Sequence, residues 1–184
     1  DPAHPTEAGF FETYPDYTYD LTVSGEYADI ANSYGGLWVV NISDPSHPEE
    51  VGYYDTPGHS WGVALSENYA LVADYNAGLR VLDIANPASI VEVSSYGTPG
   101  TIRDVAVSGD LAYLALDTAG LHIVNVANPT YPIDIGFYDT QGEAWSVAIS
   151  GSYAYVADGE YGLRVIDISN PAAPFEVGYY DNPG

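Results

Sequence analysis

The chain has 184 residues, of which 46% are hydrophobic, enough to bury a sizeable core and to exclude a disordered chain. It carries 26 acidic residues against three arginines (Arg80, Arg103, Arg164) and no lysine, a formal charge of -23, which excludes nucleic acid and anionic membrane surfaces as partners because both require Lys and Arg at their phosphates. The absence of cysteine removes disulfides, thiolate metal sites and cysteine nucleophiles, and no run of about 18 apolar residues offers a membrane span.

An Asx-Pro dipeptide punctuates the chain at Asp1-Pro2, Asp44-Pro45, Asn86-Pro87, Asn128-Pro129 and Asn170-Pro171, at spacings of 43, 42, 42 and 42, with one extra residue near Tyr14. A period of about 40 to 45 residues, built from short alternating runs rich in Gly, Pro and Tyr, predicts propeller blades. Residues 1–16 open the array: "EAGFFET" at 7–13 matches the outer strand of a blade that precedes the first or belongs to a partner, and a loop follows it. Blade 1 covers 17–55 and is the most divergent, with Asp29 and Trp38 where the other units place apolar or Arg/His residues; blade 2 covers 56–97, blade 3 covers 98–139 and blade 4 covers 140–184. In blade 4 the strands read as "SVAIS" at 146–150, "YAYVA" at 153–157, "GLRVIDI" at 162–168 and "FEVGYY" at 175–180.

The expected fold is therefore all-β: a β-propeller-type repeat array of four four-stranded blades plus one extra outer strand, without helices. One orphan strand and four blades make seventeen strands, where a closed four-blade ring needs sixteen. An open array exposes strand edges and apolar faces, so the expected partners are adjacent blades or other copies of the chain, as in an extracellular filament. The chain begins at Asp1 and not at methionine, so it reads as a processed product, as translocated proteins are, or as an excerpt from something longer; the expected location is secreted or at the cell surface.

Positions that hardly vary read as scaffold. Ala64, Ala106 and Ala148, with Thr22 in the first unit, are small enough for an innermost strand near the axis. Gly36, Gly78, Gly120 and Gly162 precede the third strand, where a positive φ or a close backbone approach calls for glycine. Asn41, Asp83, Asn125 and Asp167 suit hydrogen bonding to turn amides, which also makes glycosylation of the sequon Asn41-Ile42-Ser43 doubtful. Tyr54, Tyr96, Tyr138 and Tyr180 recur on the outermost strand, where a large ring covers the widening gap between blades. With these residues, "VAISGSYAYVADGEYGLRVIDISNPAAPFEVGYYD" resembles the LVIVD repeat family, β-propeller modules found largely in secreted and cell-surface proteins of bacteria and archaea. The resemblance implies architecture and supplies no shared catalytic motif.

No Gly-rich phosphate loop, HExxH, GxSxG or EF-hand spacing occurs. His4 and His47 stand in equivalent turns, "DPAHP" and "DPSHP". Residues that break the repeat on one rim are the binding candidates. His59, Thr101 and Glu143 share one position on the incoming loops, and Tyr19, Trp61, Arg103 and Trp145 share another. These aromatics and the guanidinium suit a carbohydrate or peptide platform, and equally suit a plug for the channel mouth. Asn32, Asp74, Asp117, Asp158 and Glu160 on the loops between second and third strands have the oxygen chemistry of calcium ligands, but one or two per loop fall short of the six to eight a site needs, and turn capping explains them. The functional expectation is a non-enzymatic structural or interaction module with no resident cofactor. The alternatives are a glycan- or peptide-binding module using His59, Trp61, Arg103, Glu143, Trp145 and Tyr19, and a propeller-type hydrolase or lactonase, for which His59, Glu143 and loop carboxylates would have to converge.

Overall fold

Each unit's alternating apolar runs, broken by tight turns, fold into one meander. The computed structural model describes residues 3–13 and 16–181; the Asp1-Pro2 dipeptide, the extra residue near Tyr14 and residues 182–184 lie outside them. Blade 1 comprises β1 (Asp20–Ser24), β2 (Tyr27–Ala31), β3 (Leu37–Asn41) and β4 (Glu49–Tyr54), and blade 2 comprises β5 (Gly62–Ser66), β6 (Tyr69–Ala73), β7 (Leu79–Asp83) and β8 (Val91–Tyr96). Blade 3 comprises β9 (Asp104–Ser108), β10 (Leu111–Ala115), β11 (Leu121–Asn125) and β12 (Ile133–Tyr138); blade 4 comprises β13 (Ser146–Ser150), β14 (Tyr153–Ala157), β15 (Leu163–Asp167) and β16 (Phe175–Tyr180). Every sheet is antiparallel with its strands in chain order, and each outer pair carries a register shift at the same place, at Val39/Val40 in blade 1 and Val165/Ile166 in blade 4. A bulge there adds twist to the outermost strand.

The scaffold positions act as their chemistry requires. Gly36, Gly78, Gly120 and Gly162 have φ of 72, 80, 73 and 74°, and a Cβ on Gly36 would collide with the Tyr54 carbonyl oxygen. Asn41, Asp83, Asn125 and Asp167 each accept the amide hydrogen two residues on, from Ser43, Ala85, Ala127 and Ser169. In blade 4 the third strand begins at Leu163, because Gly162 closes a single 3-10 turn, Gly159–Tyr161, within the preceding loop.

The core lies between blades. Alternate residues of each strand point to opposite faces. Leu37 and Ala31 on the trailing face of blade 1 meet Val63, Ala70, Val72 and Leu82 on the leading face of blade 2, and the same arrangement recurs between blades 2 and 3 and between blades 3 and 4. No blade follows the fourth among the described residues, and the array is not closed. Leu37, Leu79 and Leu121 are fully buried, but their counterpart Leu163 is 38% exposed. Tyr54, Tyr96 and Tyr138 pack into the junction clusters, whereas Tyr180 is 64% exposed. At the other end residues 7–13 run beside blade 1, with Phe11 packed on Ala28, Ile30, Val40 and Trp38. They occupy the place expected of the extra outer strand but make no β-ladder among the described residues.

Candidate functional site

The loops at one end of the array bring the shared rim position together. Tyr19 stacks on Trp61 (centroids 4.7 Å apart, planes 15° apart), Trp61 stacks on Tyr75 at 5.3 Å, and Trp145 lies 6.3 Å from Trp61. The Arg103 guanidinium sits 3.8 Å over the Trp145 ring and 5.2 Å from that of Trp61, and it donates a 2.8 Å hydrogen bond to the Asp117 carboxylate. Cation–π contact and the ion pair thus occupy Arg103 within the cluster. The Trp61 indole N–H is buried without a hydrogen-bond partner, and Trp145 remains 45% exposed beside the open face of blade 4.

His59 belongs to a neighbouring group. Its ring lies 3.8 Å from that of Tyr34 and 5.6 Å from that of Tyr75, and the three side chains, with Pro57, Gly58 and Asn76, line a cleft of 360 Å³ between blades 1 and 2. Glu143 stands exposed on the loop into blade 4. Tyr34 and Tyr75 sit on the loops between second and third strands, where the repeat draws attention to oxygen side chains, yet both break the repeat.

The loop acids have a different task from calcium binding. Asp74 and Asp158 are fully buried at the junctions preceding their blades. Asp74 accepts the Thr56 hydroxyl at 2.7 Å and the Gly58 amide at 2.9 Å, with Arg80 Nε 3.5 Å away. Asp158 repeats this with Thr140 at 2.5 Å, Gly142 at 3.0 Å and Arg164 Nε at 3.6 Å. Burial raises the Asp74 pKa, opposed by its hydrogen bonds to Thr56 and Gly58 and by the Arg80 charge. Arg80 and Arg164 also reach carboxylates of their own blades, Glu92 and Glu176, and Arg164 reaches Asp181 at 2.9 Å. Asn32 donates to the Thr13 carbonyl oxygen, and Asp117 is the partner of Arg103. Among the described residues no three acidic or histidine side chains gather as a metal site. His47 bonds Asp44 within its turn, as its position implied.

A second set of acids latches the inner strands. Asp20 accepts the Val63 amide at 2.9 Å, and Asp104 accepts the Val147 amide at 2.9 Å and the Ser146 hydroxyl at 2.7 Å. Asp29, by contrast, is a buried carboxylate with one oxygen unpartnered, on the trailing face of blade 1 where blade 2 has Leu71; burial lifts its pKa to about 6.

A family model described as the LVIVD repeat matches residues 15–56, 57–98, 99–140 and 141–182, one match per blade. Among curated proteins none matches the chain in sequence. Among solved structures the chain is similar to the computationally designed Ika8 protein, with a TM-score of 0.72 and 11% identity over 90% of this chain and 49% of that one. It is also similar to the computationally designed Ika4 protein, with a TM-score of 0.71 and 12% identity over 88% of this chain and 98% of that one. The chain thus spans about half the length of the first and nearly all of the second, and at these identities the likeness concerns the fold alone.

Proposed function

Because the chain belongs to the LVIVD repeat family, with one repeat per blade, we propose that it is a non-enzymatic structural and interaction module, secreted or held at the cell surface. It joins a further blade through the open face of blade 4, in a longer array or in a homotypic assembly such as a filament. The observation that carries this is Leu163, 38% exposed where Leu37, Leu79 and Leu121 are fully buried against a following blade. Trp145, Ala157 and Tyr180 extend the same exposed surface. An apolar face of this kind marks an interaction site. The charge of -23 resists sideways approach of copies and leaves the blade faces as the surfaces where contact is least opposed.

Light scattering across a concentration series tests the reading. Association is expected to strengthen in about 1 M salt, which screens like charges, and to be lost in Leu163→Asp. A chain that stays monomeric at tens of micromolar in high salt, with Leu163→Asp indistinguishable from it, overturns the proposal.

A second reading, glycan or peptide binding, is favoured by the Tyr34–His59–Tyr75 cleft, where His59 stacks on Tyr75 and Tyr34 is tilted against it, flat rings that suit a sugar face. A glycan panel should then give binding that His59→Ala and Tyr75→Ala remove while the fold is retained; a blank panel sinks it. The hydrolase alternative lacks comparable support, since no group of three acidic or histidine side chains gathers at the rim among the described residues.

A further inference from the structure

One repeat position occurs five times along the chain. Gly52 and Gly136, on the outer strands of blades 1 and 3, lie so close to the Asx-Pro turn of the following blade that a Cβ would collide with the carbonyl oxygen of Pro87 or Pro171. Ser94 holds the place in blade 2 and donates its hydroxyl to the Pro129 carbonyl oxygen at 2.5 Å. Gly9 meets the Pro45 carbonyl oxygen in the same way, although it belongs to no sheet. Gly178, on the outer strand of blade 4, has nothing within 4 Å of where its Cβ would stand.

Residues 7–12 read Glu-Ala-Gly-Phe-Phe-Glu, and residues 176–181 read Glu-Val-Gly-Tyr-Tyr-Asp. The first hexapeptide is thus a copy of the second, seated on the leading face of blade 1. Thr13 completes the likeness: its hydroxyl lies 2.9 Å from that of Thr18, as Thr56 lies 3.0 Å from Ser60 at the next junction. We propose that residues 7–13 cap the leading face of blade 1, and that the outer strand β16 of a second copy displaces them when blade 4 of that copy docks head to tail. This rests on the reading of the open face of blade 4 as a blade-joining surface, and it names the blade that face accepts.

The choice of blade 1 follows from the latches. Blades 2 and 4 present buried Asp74 and Asp158 on their leading faces to Thr56 and Thr140, which follow the outer strands β4 and β12, and the blades before them supply the inner carboxylates Asp20 and Asp104. Blade 4 carries Ser146 at the inner position where blades 1 and 3 carry Asp20 and Asp104. Its trailing face therefore suits a leading face without the aspartate, which means blade 1 (Asn32) or blade 3 (Leu116). Blade 2 already covers blade 3. Blade 1, covered among the described residues by the hexapeptide segment alone, is what remains for a second copy.

The two glycines make the test, by sedimentation of the full chain. Gly178→Val meets no neighbour in the free chain, so it should leave the melting temperature of dilute protein unchanged, yet weaken association at least about tenfold by striking the Pro45 carbonyl of the second copy. Gly178→Ser should be tolerated, as Ser94 is. Gly9→Val cannot sit against Pro45 and should unseat the cap, strengthening association about tenfold; Phe11→Ser, which removes the contact with Trp38, should act likewise. If Leu163→Asp abolishes association but Gly9→Val and Phe11→Ser leave it unchanged, the cap is refuted and the joining face stands. If no variant and no wild-type sample associates, the joining face itself fails. A lowered melting temperature for dilute Gly178→Val would show that the face is filled within one chain, and would overturn docking by a second copy.

Discussion

The junctions between blades 1 and 2 and between blades 3 and 4 are built differently from the one between blades 2 and 3. The outer two junctions are latched by polar groups: a buried aspartate takes a threonine hydroxyl and a glycine amide from the loop that leads in from the preceding blade, while an inner aspartate of that preceding blade takes a valine amide from the following one. The middle junction has none of these. Leu116 replaces the aspartate, Ile102 replaces Ser60 or Ala144, and Gly62 replaces the inner carboxylate. Thr98 turns its hydroxyl back to the Gly100 carbonyl oxygen. Where the aspartate goes, the arginine goes too: His122 stands where Arg80 and Arg164 do, stacked on Phe137 and held toward its neutral form by burial. The buried aspartate and the arginine occur together in blades 2 and 4 and are both absent from blade 3, because a buried charge left without its partner costs more than the pair contributes. The structural period is therefore two blades, twice the period of the fold.

The largest expected effect breaks one set at a single point. Asp158→Ala strips the acceptor from Thr140 and Gly142 and removes one carboxylate from Arg164, whose side chain is only 3% exposed. Denaturant unfolding should show a loss of about 4 kcal/mol. The double change Asp158→Leu with Arg164→His installs the blade 3 solution and should recover more than half of that; equal losses for single and double variants would mean that the groups are not coupled. At the middle junction Leu116→Ala should cost about 3 kcal/mol through the cavity it opens, with no comparable dependence on pH.

Asp29 sharpens the comparison in the other direction, as a polar residue without a set. Its pKa of about 6, against 3.8 unfolded, means the folded state binds the extra proton between those values. Its destabilisation is absent below pH 3.8, grows as pH rises, and is complete above pH 6. Asp29→Leu should therefore stabilise the chain at pH 7 by on the order of 2 kcal/mol, with the gain gone near pH 3.5. An unchanged or falling stability at pH 7 would show that Asp29 has a compensating partner. The smallest effect is expected at the inner latch, where Asp104→Ala should lose about 1 kcal/mol because the Val147 amide forfeits its acceptor.

Much of this was legible from the order of residues. The boundaries of β13, β14 and β16 follow the runs between turns, and the Asx residues and glycines at the turns behave as their local chemistry demands. Asp74 and Asp158 read in sequence as capping or calcium-type loop residues, because the groups they bind, Thr56 and Thr140, stand 18 residues earlier on the loop from the preceding blade and no local pattern announces them. Tyr34, His59 and Tyr75 likewise meet only through the junction of blades 1 and 2.

The sequence by itself determined the blade: a 42-residue unit whose alternation and turn residues dictate four antiparallel strands, since those depend on interactions within a few residues or across one hairpin. Tertiary structure decided what lies between blades, namely which carboxylates are buried latches, that Arg103 is consumed between Trp61 and Trp145, and that residues 7–13 rest on the first blade while the fourth stays uncovered. The physical reason is that each blade buries its faces only against another blade, so the fate of every face-pointing side chain depends on a neighbour that its own unit does not contain.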